Sequence, residues 1–246
     1  MSRNGALEAR GTATGDGAAR RNRRRATRQA AIRNPEGTRA RILDAATWEF
    51  ARFGLGGARV DRIALRAAAN KRMLYYYFGD KDALFLAVLE NAYARIRSAE
   101  QELRLLDTPP VAAVARLVEF TWRYYLAHPE FLTLLNSENL HRARHLQRSK
   151  NIRSMNSPLI ATLGEILRRG EGEGVFRRGV DPLQLYISIA GLAYFFLSNN
   201  HTLSRVFARN LAAAAAREER LAHMTELVVG YLTNRAGKLT ARSAGG

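Results

Sequence analysis

The sequence predicts an all-α protein in which a small N-terminal three-helix unit precedes a larger helical region. Three observations lead there. From Thr38 onward apolar residues recur at steps of three and four, and residues 38–97 contain no alternating pattern of the kind a half-buried strand shows. Pro110, Pro129 and Pro182 fall where the first turn of a helix tolerates proline. Finally, a short basic and aromatic segment, Lys71-Arg72-Met73-Leu74-Tyr75-Tyr76-Tyr77-Phe78, follows two helical stretches and a brief break. A short helix of that composition propped by two others has the form of a helix-turn-helix reading head for DNA.

Taken in order, residues 1–35 consist largely of Gly, Ala, Thr and Arg, with almost nothing large to bury, and are expected to be a disordered basic arm. The run Arg20-Arg21-Asn22-Arg23-Arg24-Arg25, with Arg28 and Arg33, suits phosphates or a minor groove. A solubilising tail, or an over-extended start, fits the same residues equally well. The first helix carries Ile42, Ala45, Ala46, Glu49, Phe50 and Phe53 on one stripe and stops at Gly54–Gly57. A second carries Val60, Ile63, Ala64 and Ala67. Ala68 and Ala69 then lead to Asn70, an N-cap for a third helix over 71–77. Gly79-Asp80 breaks and re-caps the chain, and a long helix follows with Leu84, Phe85, Val88, Leu89, Ala92 and Ile96 on its apolar face. Residues 36–97 are thus read as the head. The remainder, 98–235, reads as helices near 110–127, 129–153, 157–169, 181–198 and 210–234, with one long loop over 170–179 and a flexible tail from 236 to 246.

The net charge of +17 favours a polyanionic partner, and +11 of it lies in residues 1–97, around the proposed head. Arginine outnumbers lysine by 35 to 4, a bias typical of a GC-rich bacterial genome. There is no cysteine, hence no disulfide framework, thiol nucleophile or zinc-thiolate site. The polar N-terminus lacks the apolar segment of a secretory signal, and although an organellar leader has a similar composition, the bacterial reading points to the cytoplasm and the nucleoid.

In a helix-turn-helix the second helix of the motif is held in the major groove so that its leading side chains reach base edges. Lys71, Arg72 and Met73 occupy that turn; a basic residue can donate to guanine, and methionine can pack on a thymine methyl. Tyr75 and Tyr76, Thr38, Arg59, Arg62 and Lys81 are candidates for phosphate contacts, with Asn70 completing the set at the cap. Leu74 and Phe78 are assigned to the head's own core, and Tyr77 suits either role.

With these residues in view, the sequence resembles the TetR-type (TetR/AcrR) transcriptional regulators. The stretches that carry the resemblance are Thr38-Arg39-Ala40-Arg41-Ile42-Leu43-Asp44-Ala45-Ala46, Phe50 through Gly54, Val60-Asp61-Arg62-Ile63-Ala64 and Leu74 through Phe85. That family usually has Gly-Val where this chain has Ala68-Ala69, and a small pair where it has Arg72-Met73, so the operator sequence cannot be borrowed from relatives. The resemblance implies a variable C-terminal ligand-binding and dimerisation domain and a homodimer released from a palindromic operator by a small-molecule effector.

The chain supports dimerisation on its own account. Leu183 through Leu197 is apolar nearly all round, which a surface helix is not. One side is expected to face the subunit core and the other a second copy, with Tyr186, Ala190, Tyr194 and Leu197 joined by Leu221, Met224, Leu227, Val228 and Tyr231 of the last helix. A membrane span is the competing reading, but the stretch is shorter than about 20 residues and includes Gln184 and Ser188. For the effector cavity the candidates are Trp122, Tyr125, Phe131, Leu135 and Tyr194, with Asn139 and Arg142 as polar anchors and a carboxylate as the ligand chemistry that suits Arg142. Glu138, His141 and His145 could place a metal on one helix face, the basis of an enzymatic alternative; a solvated face is the plainer reading. A nonspecific basic DNA-binding or membrane-surface protein is the third. With no nucleophile motif, glycine-rich phosphate loop or spaced carboxylate pair, no catalytic residue and no cofactor is expected.

Overall fold

A computed structural model describes residues 35–233, and the basic arm and C-terminal tail expected from composition lie outside the described residues. Nine α-helices and two short 3₁₀ turns make up the elements among them: α1 Pro35–Gly57, α2 Val60–Arg66, α3 Lys71–Phe78, α4 Lys81–Gln101, a 3₁₀ turn Leu105–Asp107, α5 Pro110–Ala127, α6 Pro129–Leu140, a second 3₁₀ turn Leu146–Arg148, α7 Ile152–Gly172, α8 Pro182–Val206 and α9 Ala214–Thr233. The chain divides into two compact units at Phe85–Leu86, inside α4, rather than at residue 97. The first apolar turns of α4 belong to the head's core, and its later turns belong to the larger unit.

In the first unit, α1 buries Ile42, Ala45, Ala46 and Phe50 against Ile63 and Ala64 of α2, Leu74 of α3 and Leu84 and Phe85 of α4. Phe50 and Phe85 meet edge to face with centroids 5.0 Å apart. Gly54, at φ +64, lets the chain bend in the last turn of α1. The α2–α3 turn is a Schellman motif: Ala69 N–H donates to Ala64 O at 3.0 Å and Ala68 N–H to Leu65 O at 3.2 Å. Its left-handed position, normally glycine, is Ala68 at φ +49. The turn therefore has not relaxed to suit the alanine; it keeps the geometry that glycine favours. Asn70 Oδ1 accepts from Met73 N–H at 2.9 Å to cap α3, Gly79 ends that helix at φ +84, and Asp80 Oδ1 accepts from Ala83 N–H at 2.7 Å to start α4.

In the second unit α5 is the central helix and packs against α7, α8 and α9. Ala113, Val114, Leu117, Val118 and Trp122 of α5 are fully buried, together with Leu163 and Ile166 of α7, Ile189 and Ala193 of α8, and Met224 and Leu232 of α9. Several boundaries differ from the periodicity. The expected helix over 129–153 ends at Leu140, because the buried Glu138 carboxylate accepts from the amides of His145 and Leu146, at 2.8 and 2.9 Å, and folds the chain back. The following helix starts at Ile152 and contains Pro158. Proline leaves the Ser154 carbonyl without its usual amide, and the Ser157 hydroxyl donates to it at 3.3 Å instead. Helix α7 runs on to Gly172, into the expected loop, and α8 runs past residue 198 to Val206.

Candidate nucleic-acid interface and effector cavity

Within the head, the exposed candidates are Arg59, Arg62, Asn70, Lys71, Arg72, Tyr75 and Tyr76, while Met73 and Lys81 are half-buried. Tyr76 is 84% exposed, an arrangement that leaves the hydroxyl free to reach a polyanion. Leu74 is buried; Phe78 is half-buried under the Arg39 guanidinium, 5.2 Å from the ring centroid, and Tyr77 packs edge-on between Tyr76 and Phe78. The start of α3, with Lys71 and Arg72 on the surface and its backbone capped by Asn70, is built as a fixed platform rather than a floppy basic segment.

Two expected phosphate contacts need correction. Thr38 is fully buried, and its Oγ1 accepts from Arg41 Nη2 at 3.1 Å, so it serves the interior of the head rather than a phosphate. Arg62 is exposed, yet its guanidinium already donates to Glu49 Oε1 at 2.6 Å and to Gly57 O at 2.8 Å, with its carbon 4.3 Å from the Phe53 centroid. Its first task is therefore to join α2 to α1. Glu49 is buried and also accepts from Arg59 N–H at 2.9 Å. Burial pushes its carboxyl up, but the hydrogen bonds from Arg62 and Arg59 and the charge of Arg62 outweigh that and hold it below the usual carboxylate range. A glutamate in phase with the apolar stripe of the first helix was the sequence signal for this partnership. Asp61, absent from the sequence expectations, forms an ion pair with Lys71 and lies 3.9 Å from Arg59 Nη2. It sets an acidic competitor beside the reading turn.

The larger unit holds a cavity of about 350 Å³ between the end of α4, the first 3₁₀ turn and the start of α7. It is walled by Arg97, Glu100 and Gln101 of α4, Arg104, Leu105, Leu106 and Asp107 at the 3₁₀ turn, and Met155, Pro158, Leu159 and Thr162 of α7. None of the expected pocket residues lines it. Trp122, Tyr125 and Phe131 are core side chains, Tyr125 stacking on Phe131 at 5.7 Å. Leu135 packs at the edge of the same core, and the Tyr194 hydroxyl bonds to Asn136. Asn139 and Arg142 are exposed, Asn139 donating to Leu135 O of its own helix at 2.9 Å, so neither anchors a ligand in this cavity. Strand-like or helical periodicity reports which residues are apolar and in phase; it does not report where facing helices fail to meet.

Inside the cavity wall, Arg97 and Glu100 form a buried ion pair, Nη1 to Oε2 at 2.9 Å, and Arg97 Nη2 donates to the Tyr186 hydroxyl at 2.9 Å. Burial pushes the Glu100 carboxyl up to about 7, with the Arg97 charge only partly opposing it. The same burial raises the Tyr125 hydroxyl. Tyr186 thus faces its own subunit's interior and is not a free interface residue. Leu221, Met224 and Val228 are likewise buried in their own core. Among the large apolar side chains left exposed on α8 and α9 are Leu227 and Tyr231, both expected at the interface, and Leu183, Ile187, Phe195 and Val206, with Ala190, Tyr194 and Leu197 half-buried.

The metal alternative also needs correction. Glu138 Oε2 lies 2.5 Å from His145 Nδ1 with both side chains buried, and His141 Nδ1 lies 2.7 Å from Ser137 O. These residues are neither a solvated face nor a ligand set, and no cluster able to hold a metal exists among the described residues. No described helix is long and apolar enough to cross a membrane.

A capped basic helix presented by two supporting helices, joined to an all-helical unit with its own cavity, defines a one-component DNA-binding transcriptional regulator. Residues 42–88 match the model of bacterial regulatory proteins of the tetR family, and residues 110–228 match the tetracyclin repressor-like C-terminal domain. The chain is 40% identical over 205 residues to the HTH-type transcriptional repressor NicS of Pseudomonas putida, spanning 82% of this chain and 97% of that protein. The structure resembles the SCO4942 regulator of Streptomyces coelicolor with a TM-score of 0.59 at 26% identity, over 79% of this chain and 98% of that one. The fatty acid degradation regulator FadR of Bacillus halodurans shares the fold, with a TM-score of 0.60 at 18% identity over 77% and 93% of the two chains. The protein belongs to the TetR family of transcriptional regulators. The metal-dependent enzyme and the nonspecific basic protein find no support in these relationships.

Proposed function

We propose that this regulator is a homodimeric repressor that binds an approximately palindromic operator through the start of α3 and leaves it when a small molecule enters the cavity beside Arg97 and Glu100. The observation that carries the reading is the reading turn itself: Lys71 and Arg72 exposed on a helix whose first amides are capped by Asn70. Arg59, Tyr75 and Tyr76 supply phosphate contacts around it. Dimerisation is supported by Leu183, Ile187 and Phe195 on α8 and Leu227 and Tyr231 on α9, large apolar side chains that one subunit leaves in water. Two heads on one face of a duplex require half-sites about one helical turn apart or slightly more.

Effector control follows if the ligand binds one dimer geometry better than the other, since only differential affinity shifts an equilibrium. The first turns of α4 belong to the head's core, and its last turns carry Arg97, Glu100 and Gln101 of the cavity wall. The site of action is the cytoplasm, at the nucleoid. Gel shift with the DNA flanking the protein's own gene is the direct test. Retarded complex at moderate salt, lost on Lys71→Ala plus Arg72→Ala and on Ile187→Glu, is expected; equal retardation of unrelated DNA refutes the reading.

A further inference from the structure

Asp61, an acid among the cations of the head, has a use that rests on the head being a sequence-specific reader of DNA. Lys71 and Arg72 stand exposed at the start of α3, and Arg59 stands exposed just ahead of α2. In the first turn of α2, Asp61 pairs Oδ1 with Lys71 Nζ and holds Oδ2 3.9 Å from Arg59 Nη2. The three side chains are well open to solvent, Lys71 at 58%, Asp61 at 48% and Arg59 at 67%, so a duplex that meets Lys71 also meets this carboxylate. The other charges nearby are engaged elsewhere or are basic. Arg62 donates to the buried Glu49 and to Gly57 O, and Asp80 caps α4. Lys81 adds a positive charge near Glu49, and Arg72 has no ion pair among the described residues.

An exposed ion pair of this kind adds little to stability. An acid in the first turn of a helix favours that helix by a small amount, and this is the plainer role for Asp61. Its effect on binding is larger, because affinity for random duplex comes almost wholly from cations that neutralise phosphates. Lys71 is a point charge with three donors on a flexible stem. Unheld, it swings to whichever phosphate is nearest. With one donor on Asp61 it gains less from a phosphate, and the carboxylate repels that phosphate. Its other donors stay available to guanine O6 and N7, which only a matching base pair presents in the major groove. We propose that Asp61 is a positioning residue that sets specificity without touching a base. It aims Lys71 at a base edge and withholds it from phosphates, so random sequence binds more weakly while the operator complex keeps the Asp61–Lys71 pair.

The full chain and its variants are assayed by fluorescence anisotropy across a salt series. Two duplexes of equal length are used, one carrying the sequence that the native protein enriches from a random library and one a scramble of it. Asp61→Asn should bind the scramble roughly three- to tenfold more tightly, with a salt slope steeper by about 1, and gain less than about twofold on the enriched duplex. Asp61→Glu restores the acid and should keep the native preference. In a Lys71→Met background, Asp61→Asn should change affinity for the scramble by less than about twofold, since the effect runs through Lys71. Circular dichroism verifies each fold, and Asp61→Ser replaces Asp61→Asn if that chain does not fold. Equal gains on both duplexes would make Asp61 a bulk negative charge, and an unchanged preference would leave it a helix-start residue. Either result overturns the inference, as does an effect that survives in Lys71→Met. Failure to enrich any sequence refutes the regulator reading and this inference together, whereas an enriched sequence whose preference Asp61→Asn leaves intact refutes only the role given to Asp61.

Discussion

Replacing Ala68 by glycine should stabilise the head, although most changes to glycine weaken a helical protein. Ala68 sits at φ +49 in the left-handed position of the α2–α3 Schellman turn, where its Cβ crowds the following carbonyl at a cost of about 1–2 kcal/mol. Glycine removes that strain but gives the unfolded chain more freedom, a loss of roughly 0.4–1 kcal/mol. The difference leaves a net gain of about 0.5–1 kcal/mol. Urea unfolding followed by circular dichroism reads this as a midpoint raised by a few tenths of a molar with the slope unchanged, taking a slope of about 1–3 kcal/mol/M. The matched control is the neighbouring Ala67→Gly. Ala67 has φ −74 and is almost wholly buried, so glycine relieves no strain there and the control loses about 1 kcal/mol or more. Equal destabilisation by both substitutions would show that the turn carries no strain and that the reasoning from its φ is wrong.

Three further outcomes follow from the geometry. Arg62→Ala strands the buried Glu49 carboxylate and should cost roughly 2–3 kcal/mol of stability along with DNA affinity, whereas Arg59→Ala, exposed and without that partner, should lower affinity and the salt slope by about 1 with stability unchanged; denaturation paired with salt-titrated gel shifts separates the two. Gly170→Ala should destabilise the larger unit by about 1–3 kcal/mol, since a Cβ there would lie 2.0 Å from the buried Phe176 ring, and Phe176→Leu in the same chain should recover part of the loss in thermal unfolding. Glu100, pushed up to about 7 from an ordinary 4.5, contributes stability that is fully present below pH 4.5 and is lost as pH rises through 7. That loss is on the order of 3 kcal/mol, and stability measured from pH 4.5 to 8.5 should fall less steeply in Glu100→Gln than in the native protein.

The all-α class, the order of the head's helices and its reading turn were legible in the residues alone, because each rests on local physics. Three-and-four periodicity marks a buried helix face, Asn70 and Asp80 cap the amides that follow them, and Gly54 and Gly79 adopt the positive φ that stops a helix. Tertiary structure alone decided which polar groups are enclosed. Thr38, Glu138 and His145 read as surface residues and are buried, and Arg62 reads as a phosphate contact and is held by Glu49. It also decided that Leu221, Met224 and Val228 serve their own core while Ile187 and Phe195 do not, and that the cavity lies beside Arg97 and Glu100 rather than among the aromatics of α5. Burial of a charge depends on which other helices pack over it, and a cavity exists only where packed helices fail to touch; neither quantity is a property of any single stretch of sequence.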